Sequence, residues 1–184
     1  MQTRRGRRVR HLWLYSDGGS VNNGGKDKDK PVYGAYCSLI VNAKNNIQKE
    51  FCNVEKDVTN NQMELKGFIE GFKFLAKFMK NKYPEDILDL TVISDSQYLI
   101  KGCSEWMAGW KRRGWKNSAK KEVENIDMWK EIDSLINENS DNICITFQWT
   151  RGHKGKSIAL EDDRDSYFNE KCDTILSEAL SIYR

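Results

Sequence analysis

Leu12-Trp13-Leu14-Tyr15, running straight into Ser16-Asp17-Gly18-Gly19, reads as a short apolar strand that stops at an acid and two glycines. A second stretch, Leu90-Thr91-Val92-Ile93, runs the same way into Ser94-Asp95-Ser96. Between them lie two extended runs, Tyr33 to Val41 and Ile47 to Val54, joined by Asn42-Ala43-Lys44-Asn45-Asn46, a turn signal that makes them a hairpin. The clearest helix follows. Leu65, Phe68, Ile69, Phe72, Leu75, Ala76 and Met79 recur at three- and four-residue steps. Thr59, Asn60 and Asn61 offer capping oxygens at its start, and Pro84 lies beyond its end. After the second strand the spacing predicts helices over 97–107 and 126–136, a strand from Ile143 to Trp149, and a last helix over 167–182. That last helix has Phe168, Cys172, Ile175, Ala179 and Ile182 on one face.

This order, β, β, β, α, β, α, α, β, α, predicts an α/β domain around a mixed sheet. Strand 1 pairs with the hairpin on one side. The helix after strand 3 can cross over and lay strand 4 parallel to strand 1 on the other. The carboxyl ends of strands 1 and 4 then form a topological switch point, where such sheets bind ligands. Asp17 and Asp95 fall at those ends. Glu64, read in the first turn of the long helix and off its apolar stripe, can face the same place, and Asp173 lies in the last helix beside Cys172. A single acid among 27 is ordinarily a surface group or a cap. Acids converging at element ends repel one another and attract a counter-charge, for which Mg²⁺, a hard cation that prefers oxygen, is the natural choice.

The chain has 184 residues, enough for one domain with its own core. No apolar run approaches a membrane span, and no secretory signal precedes the first strand. The five cysteines form no CxxC pair and read as reduced thiols of an intracellular, cytoplasmic protein. With two histidines and no ligand-spaced cluster, zinc is not indicated. The net charge of +3 conceals clustering. Residues 1–10 carry five arginines and read as a basic, disordered tail ahead of a domain over 11–184. The tail is open to three readings: expression remnant, targeting signal, or phosphate-attracting arm, the last being preferred. Residues 106–121 carry six basic residues and no acid, interleaved with Trp106, Trp110 and Trp115; this composition favours a nucleic-acid surface over a merely solvated helix.

Seven segments in order resemble the type 1 ribonuclease H family, bacterial-like branch, and the likeness runs from about Leu12 to Leu180. They are YSDGGS (Tyr15–Ser20), TNNQMEL (Thr59–Leu65), SDSQYL (Ser94–Leu99), WKRRGWK (Trp110–Lys116), DMW (Asp127–Trp129), WTRGH (Trp149–His153) and NEKCD (Asn169–Asp173). The resemblance implies a five-stranded sheet of order 3-2-1-4-5 flanked by helices. It implies an endonuclease that cuts the RNA strand of RNA–DNA hybrids with two metal ions, leaving 5′-phosphate and 3′-hydroxyl ends. Its metal-binding acids map to Asp17, Glu64, Asp95 and Asp173, for Mg²⁺ or alternatively Mn²⁺. His153 maps to a mobile catalytic loop with a proton-shuttling role.

Substrate contacts are implied at Gly18, Gly19, Asn23, Asn61 and Gln62, more weakly at Gln97. The basic protrusion that grips the DNA strand maps to Trp106, Trp110, Lys111, Arg112, Arg113, Trp115 and Lys116. Thr59 is open to two readings, helix cap or DNA-phosphate contact. The stretch from Lys154 to Phe168 is longer than the family pattern and holds Glu161, Asp162, Asp163 and Asp165, any of which could compete with Asp173; Asp173 is preferred, because its segment keeps its spacing on a helix. A non-catalytic hybrid-binding module, a related polynucleotidyl transferase or resolvase, and a reverse-transcriptase fragment are the alternatives. The intact acid set and WKRRGWK speak against the first two, and Met1 with the compact length against the third. A monomer suffices for the activity.

Overall fold

A computed structural model of the chain describes residues 6–22, 30–152 and 158–184. Five strands form one sheet in the order β3-β2-β1-β4-β5, as expected: β1 (Val9–Val21), β2 (Tyr33–Asn42), β3 (Ile47–Lys56), β4 (Ile87–Ser94) and β5 (Ile143–Trp149). β1 is antiparallel to β2 and parallel to β4, and β5 is parallel to β4.

β1 is longer than the sequence reading allowed. Its parallel pairing with β4 ends at Tyr15 opposite Ile93, but the strand runs on to Val21 because β2 supplies partners throughout, with Asp17 opposite Cys37 and Gly18 opposite Tyr36. Beyond Tyr15 the sheet therefore splits. β1 keeps going while β4 hands over to Ser94-Asp95, and the gap between them is the switch point. The N-terminal boundary also moves. Arg7, placed in a tail by composition, donates to the carbonyls of Glu85 (2.7 Å) and Asp86 (3.2 Å) and to Asn142 Oδ1 (2.6 Å). Arg10 pairs with Asp86 at 2.7 Å and lies over the Tyr83 ring. These cations meet loop carbonyls and a carboxylate, so they fold with the domain; Arg4 and Arg5 lie outside the described residues.

Side chains alternate across the sheet. Leu14, Leu90 and Val92 face one core, shared with α1 (Asn60–Lys82), α2 (Gln97–Lys101), α3 (Met107–Arg112) and α4 (Ile126–Asn139). Tyr15, Leu39 and Ile93 face the other, covered by α5 (Arg164–Leu180). α1 opens with a capping box: Thr59 Oγ1 accepts from the Gln62 amide and Gln62 Oε1 accepts from the Thr59 amide. That start places Glu64 just past the first turn, not within it.

The helix predicted over 97–107 extends to Arg112, through a π-helical turn at Gly102–Trp106. A Cβ on Gly102 would overlap the ring of Trp129, which is buried between Tyr98 (5.3 Å between centroids) and Trp110 (5.2 Å). The wider turn and the missing side chain together admit an indole that lies far away in sequence.

α5 begins at Arg164 because Asp163 caps it, accepting from the amides of Asp165 and Ser166. Its buried stripe is Phe168, Cys172, Leu176 and Leu180; Ile182, assigned to that face from sequence, is 80% exposed. The cause is a 3₁₀ turn, Ser181–Tyr183, that swings the chain off the helix axis and stacks the Tyr183 ring on Tyr33 at 4.2 Å. All five cysteines are free thiols. No described helix is long and apolar enough to cross a membrane.

Candidate active site

Four carboxylates from four elements line one open depression of about 370 Å³: Asp17 from β1, Glu64 from α1, Asp95 at the end of β4 and Asp173 from α5. The split between β1 and β4 makes room for the first and third. α1 delivers the second through a close contact that only glycine permits, since a Cβ on Gly18 would overlap the backbone of Met63 and Glu64. Asp173 is carried in by the buried stripe of α5 that flanks it, Cys172 and Leu176.

The acids that could have competed with Asp173 are engaged elsewhere. Asp163 is the helix cap, and Asp165 accepts from the Tyr15 hydroxyl and from Gln148 Nε2, both at 2.8 Å. Burial, with this carboxylate beside it, pushes the Tyr15 hydroxyl strongly up. Glu161 and Asp162 are exposed and line no part of the depression.

Crowding leaves its mark on titration. Burial raises the Asp17 carboxyl well above its ordinary value and nearby Asp95 raises it further, against a 2.7 Å hydrogen bond from the Gly18 amide. Burial also raises Glu64, which Ser96 and Asn60 partly offset by donating to its two oxygens. Asp95 is raised by burial, opposed by a hydrogen bond from Asn169. Among the described residues no group of three or more such side chains is drawn close enough to hold a metal ion as it stands. Both oxygens of Glu64 are held by Ser96 and Asn60. The donor set fits a hard divalent cation: it is all carboxylate oxygen, open on one side, and strained by its own charge.

Ser96, Asn60 and Asn169 were not assigned to the site from sequence. Ser96 did carry a signal, an N-cap serine just ahead of an apolar run; its oxygen accepts from the Leu99 amide while its proton goes to Glu64. Asn169 is buried in α5, and no local pattern shows that it reaches Asp95.

Gly18 and Gly19 line the depression. Asn61 and Gln97 stand at the starts of α1 and α2. Gln62 lies outside the depression, with its Oε1 engaged in the capping box. His153 and Asn23 lie outside the described residues.

The basic segment divides. Trp110, expected as a contact face, is only 9% exposed and belongs to the core against Trp129, whereas Trp106 is 36% exposed and Trp115 half-buried. Lys111 pairs with Asp133 at 2.7 Å, and Arg113 Nε donates to the Lys116 carbonyl. Among the described residues, Arg112, Lys116, Lys120 and Lys121 are exposed cations with no ion pair.

Comparison with known proteins agrees with this architecture. Residues 10–181 match the family model described as RNase H. Ribonuclease H of Francisella tularensis subsp. novicida is 37% identical over 157 residues, covering 85% of this chain and 87% of that one. Its counterpart in Francisella philomiragia is 36% identical over the same length. Among solved structures, the prototype foamy virus RNase H domain superposes with a TM-score of 0.70 at 19% identity, covering 95% of this chain and 96% of that one. LC9-RNase H1, a type 1 RNase H with the type 2 active-site motif, gives 0.65 at 22% identity, covering 96% and 74%. With its fold, its carboxylate-lined switch point and a family match over nearly its whole length, the chain belongs to the ribonuclease H family.

Proposed function

We propose that this enzyme is an endonuclease that hydrolyses the RNA strand of RNA–DNA hybrids, leaving 5′-phosphate and 3′-hydroxyl ends. The observation that carries the proposal is the meeting of Asp17, Glu64, Asp95 and Asp173 in one depression of a ribonuclease H fold. A solved relative by fold, the foamy viral protease–reverse transcriptase, is described in complex with an RNA/DNA hybrid.

The four carboxylates would hold two Mg²⁺ ions, with Mn²⁺ as an alternative on the same oxygens; such a pair would supply activation of water and stabilisation of the leaving oxygen. The chain's own side chains orient the site. Ser96 and Asn60 aim Glu64, Asn169 aims Asp95, and the Gly18 amide holds Asp17. Gly18 and Gly19 let a sugar–phosphate backbone approach closely, and Asn23, Asn61, Gln62 and Gln97 are proposed contacts along it. RNA is told from DNA through its 2′-hydroxyls. His153 is proposed to move protons and help release product. Water attacks in line, so no covalent nucleophile is required. The free thiols support a reducing, cytoplasmic setting, and a monomer carries every group named.

Incubating the protein with labelled hybrid, duplex RNA and duplex DNA, in Mg²⁺ or EDTA, tests the reading. Cutting restricted to hybrid and dependent on metal is expected; equal cutting of duplex DNA would remove it.

The exposed cations of the basic segment are the proposed grip on the DNA strand. Replacing Arg112, Lys116 and Lys120 together with Ala should lower the salt slope of hybrid binding by about 3, one unit for each phosphate contact, and leave kcat nearly unchanged. An unchanged slope would mean the substrate lies elsewhere. Ser96→Ala should cost about 10–100-fold in Mg²⁺ affinity or kcat, the usual loss for a group that orients a ligand. It should also cost about 1 kcal/mol of stability through the lost cap. Mg²⁺ titration and thermal melting read the two effects separately.

A further inference from the structure

The depression that holds the four carboxylates has one cation in its described lining, Arg184, brought there from the far end of α5. Its position is built. Leu180 is buried, the 3₁₀ turn follows, the Tyr183 ring lies on Tyr33 at 4.2 Å, and Asn22 Nδ2 donates to the Tyr183 carbonyl at 3.2 Å. The anchored residue is thus the immediate neighbour of Arg184. Arg184 itself is exposed, and among the described residues no carboxylate lies within ion-pair distance of it, although it shares a cavity with four.

The guanidinium beyond that anchor makes no ion pair among the described residues. What it does is place a flat, permanently charged fork at the edge of a negative cleft into which a polyanion must come. Phosphate is the group that fork matches best, through paired charge-assisted hydrogen bonds. Arg184 lines the same depression as Asp17, Gly19 and Leu176, which no residue of the basic segment reaches.

We propose that Arg184 grips an RNA-strand phosphate adjacent to the cut linkage, which offsets the repulsion between that strand and the carboxylates. The proposal rests on the hybrid-cutting reading and deepens it: substrate grip is divided between the basic segment and the end of α5. Because Tyr183 is already fixed, the ordering needed for the contact is that of the Arg184 side chain.

The full chain is compared with Arg184→Ala and Arg184→Lys on an RNA–DNA hybrid, binding being measured in EDTA across salt and cleavage in Mg²⁺. Arg184→Ala should reduce the salt slope by about 1, so that the wild-type advantage in affinity shrinks roughly fourfold between ~50 and ~200 mM salt. Arg184→Lys should restore the slope but only part of the affinity, because a point charge lacks the fork. A hybrid with a neutral methylphosphonate beside the cut should weaken binding of the wild type and leave Arg184→Ala indifferent. A merely structural residue would lower Tm and leave both readouts alone. Wild-type cleavage in the same series tests the parent reading by itself. With that cleavage intact, an equal salt slope in Arg184→Ala, or additive losses from variant and methylphosphonate, overturns the assignment.

Discussion

Asp95→Asn is expected to stop cleavage, by on the order of 10³-fold or more, and at the same time to raise the melting temperature. The loss should exceed the 10–100-fold typical of a group that merely orients a ligand, because an amide cannot replace a carboxylate oxygen on a hard cation. The gain follows from the electrostatics of the depression. Burial and mutual repulsion raise the folded-state pKa of Asp17, Glu64 and Asp95 above their unfolded values. A raised carboxyl contributes stability that is fully present below the unfolded pKa, about 4, and that is lost as pH rises through the folded value. At neutral pH, without metal, the site therefore works against the fold. Removing one charge should relieve it, at about 2–4 °C of Tm for each kcal/mol regained. In EDTA the wild-type Tm should fall as pH climbs from about 4, and Asp95→Asn should show a shallower fall. Added Mg²⁺ should raise the wild-type Tm more than that of the variant, since binding to the folded form stabilises it. A variant that melts lower than wild type, with a wild-type Tm flat in pH, would sink this account.

Trp129→Ala should bring the largest loss of stability, roughly 3–5 kcal/mol, or about 6–20 °C in Tm. The indole is fully buried, meets the rings of Tyr98 and Trp110, covers Gly102, and donates from Nε1 to the Tyr98 hydroxyl at 3.0 Å. Its removal leaves a cavity that rigid neighbours cannot fill and takes one hydrogen bond from the Tyr98 hydroxyl, which keeps those with the Glu124 carbonyl and Asn125 Nδ2. The damage should concentrate on α2, the π turn and α3, which seat the basic segment. Hydrogen exchange should quicken there first, before the sheet. A loss below about 1 kcal/mol would show that this aromatic cluster is slack.

The strand order was legible from local signals, apolar runs of strand length with turn residues between them, and Asp17 and Asp95 stood out as acids set where two such runs end; Glu64 and Asp173, carried on helices, were singled out as ligands only by the family resemblance. What escaped depends on partners distant in the chain. β1 outruns Asp17 because β2 lies beside it all the way to Val21, which the glycines there do not announce. Trp110 sits among lysines and arginines, and composition put it on a binding face; Trp129 decides that it turns inward. Arg7 and Arg10 looked like tail until loop carbonyls and Asp86 took up their charge. Asn169 lies inside a recognised segment, yet its reach to Asp95 follows only from how α5 is laid against β1. The stripe of α5 departs from the expected one after Cys172: Leu176 and Leu180 are buried while Ile175 and Ala179 are only partly so, and the 3₁₀ turn leaves Ile182 exposed.

The folding-back of Tyr183 onto Tyr33 also makes Arg184 and Arg7 unequal places to attach anything. A purification tag, dye or surface tether joined after Arg184 would emerge beside the carboxylates and compete with whatever enters there. Joined ahead of Arg7, the same appendage would leave from the opposite rim of the sheet, where β1 meets the first residue of β4, and catalysis could be watched on an immobilised molecule without obstructing its mouth.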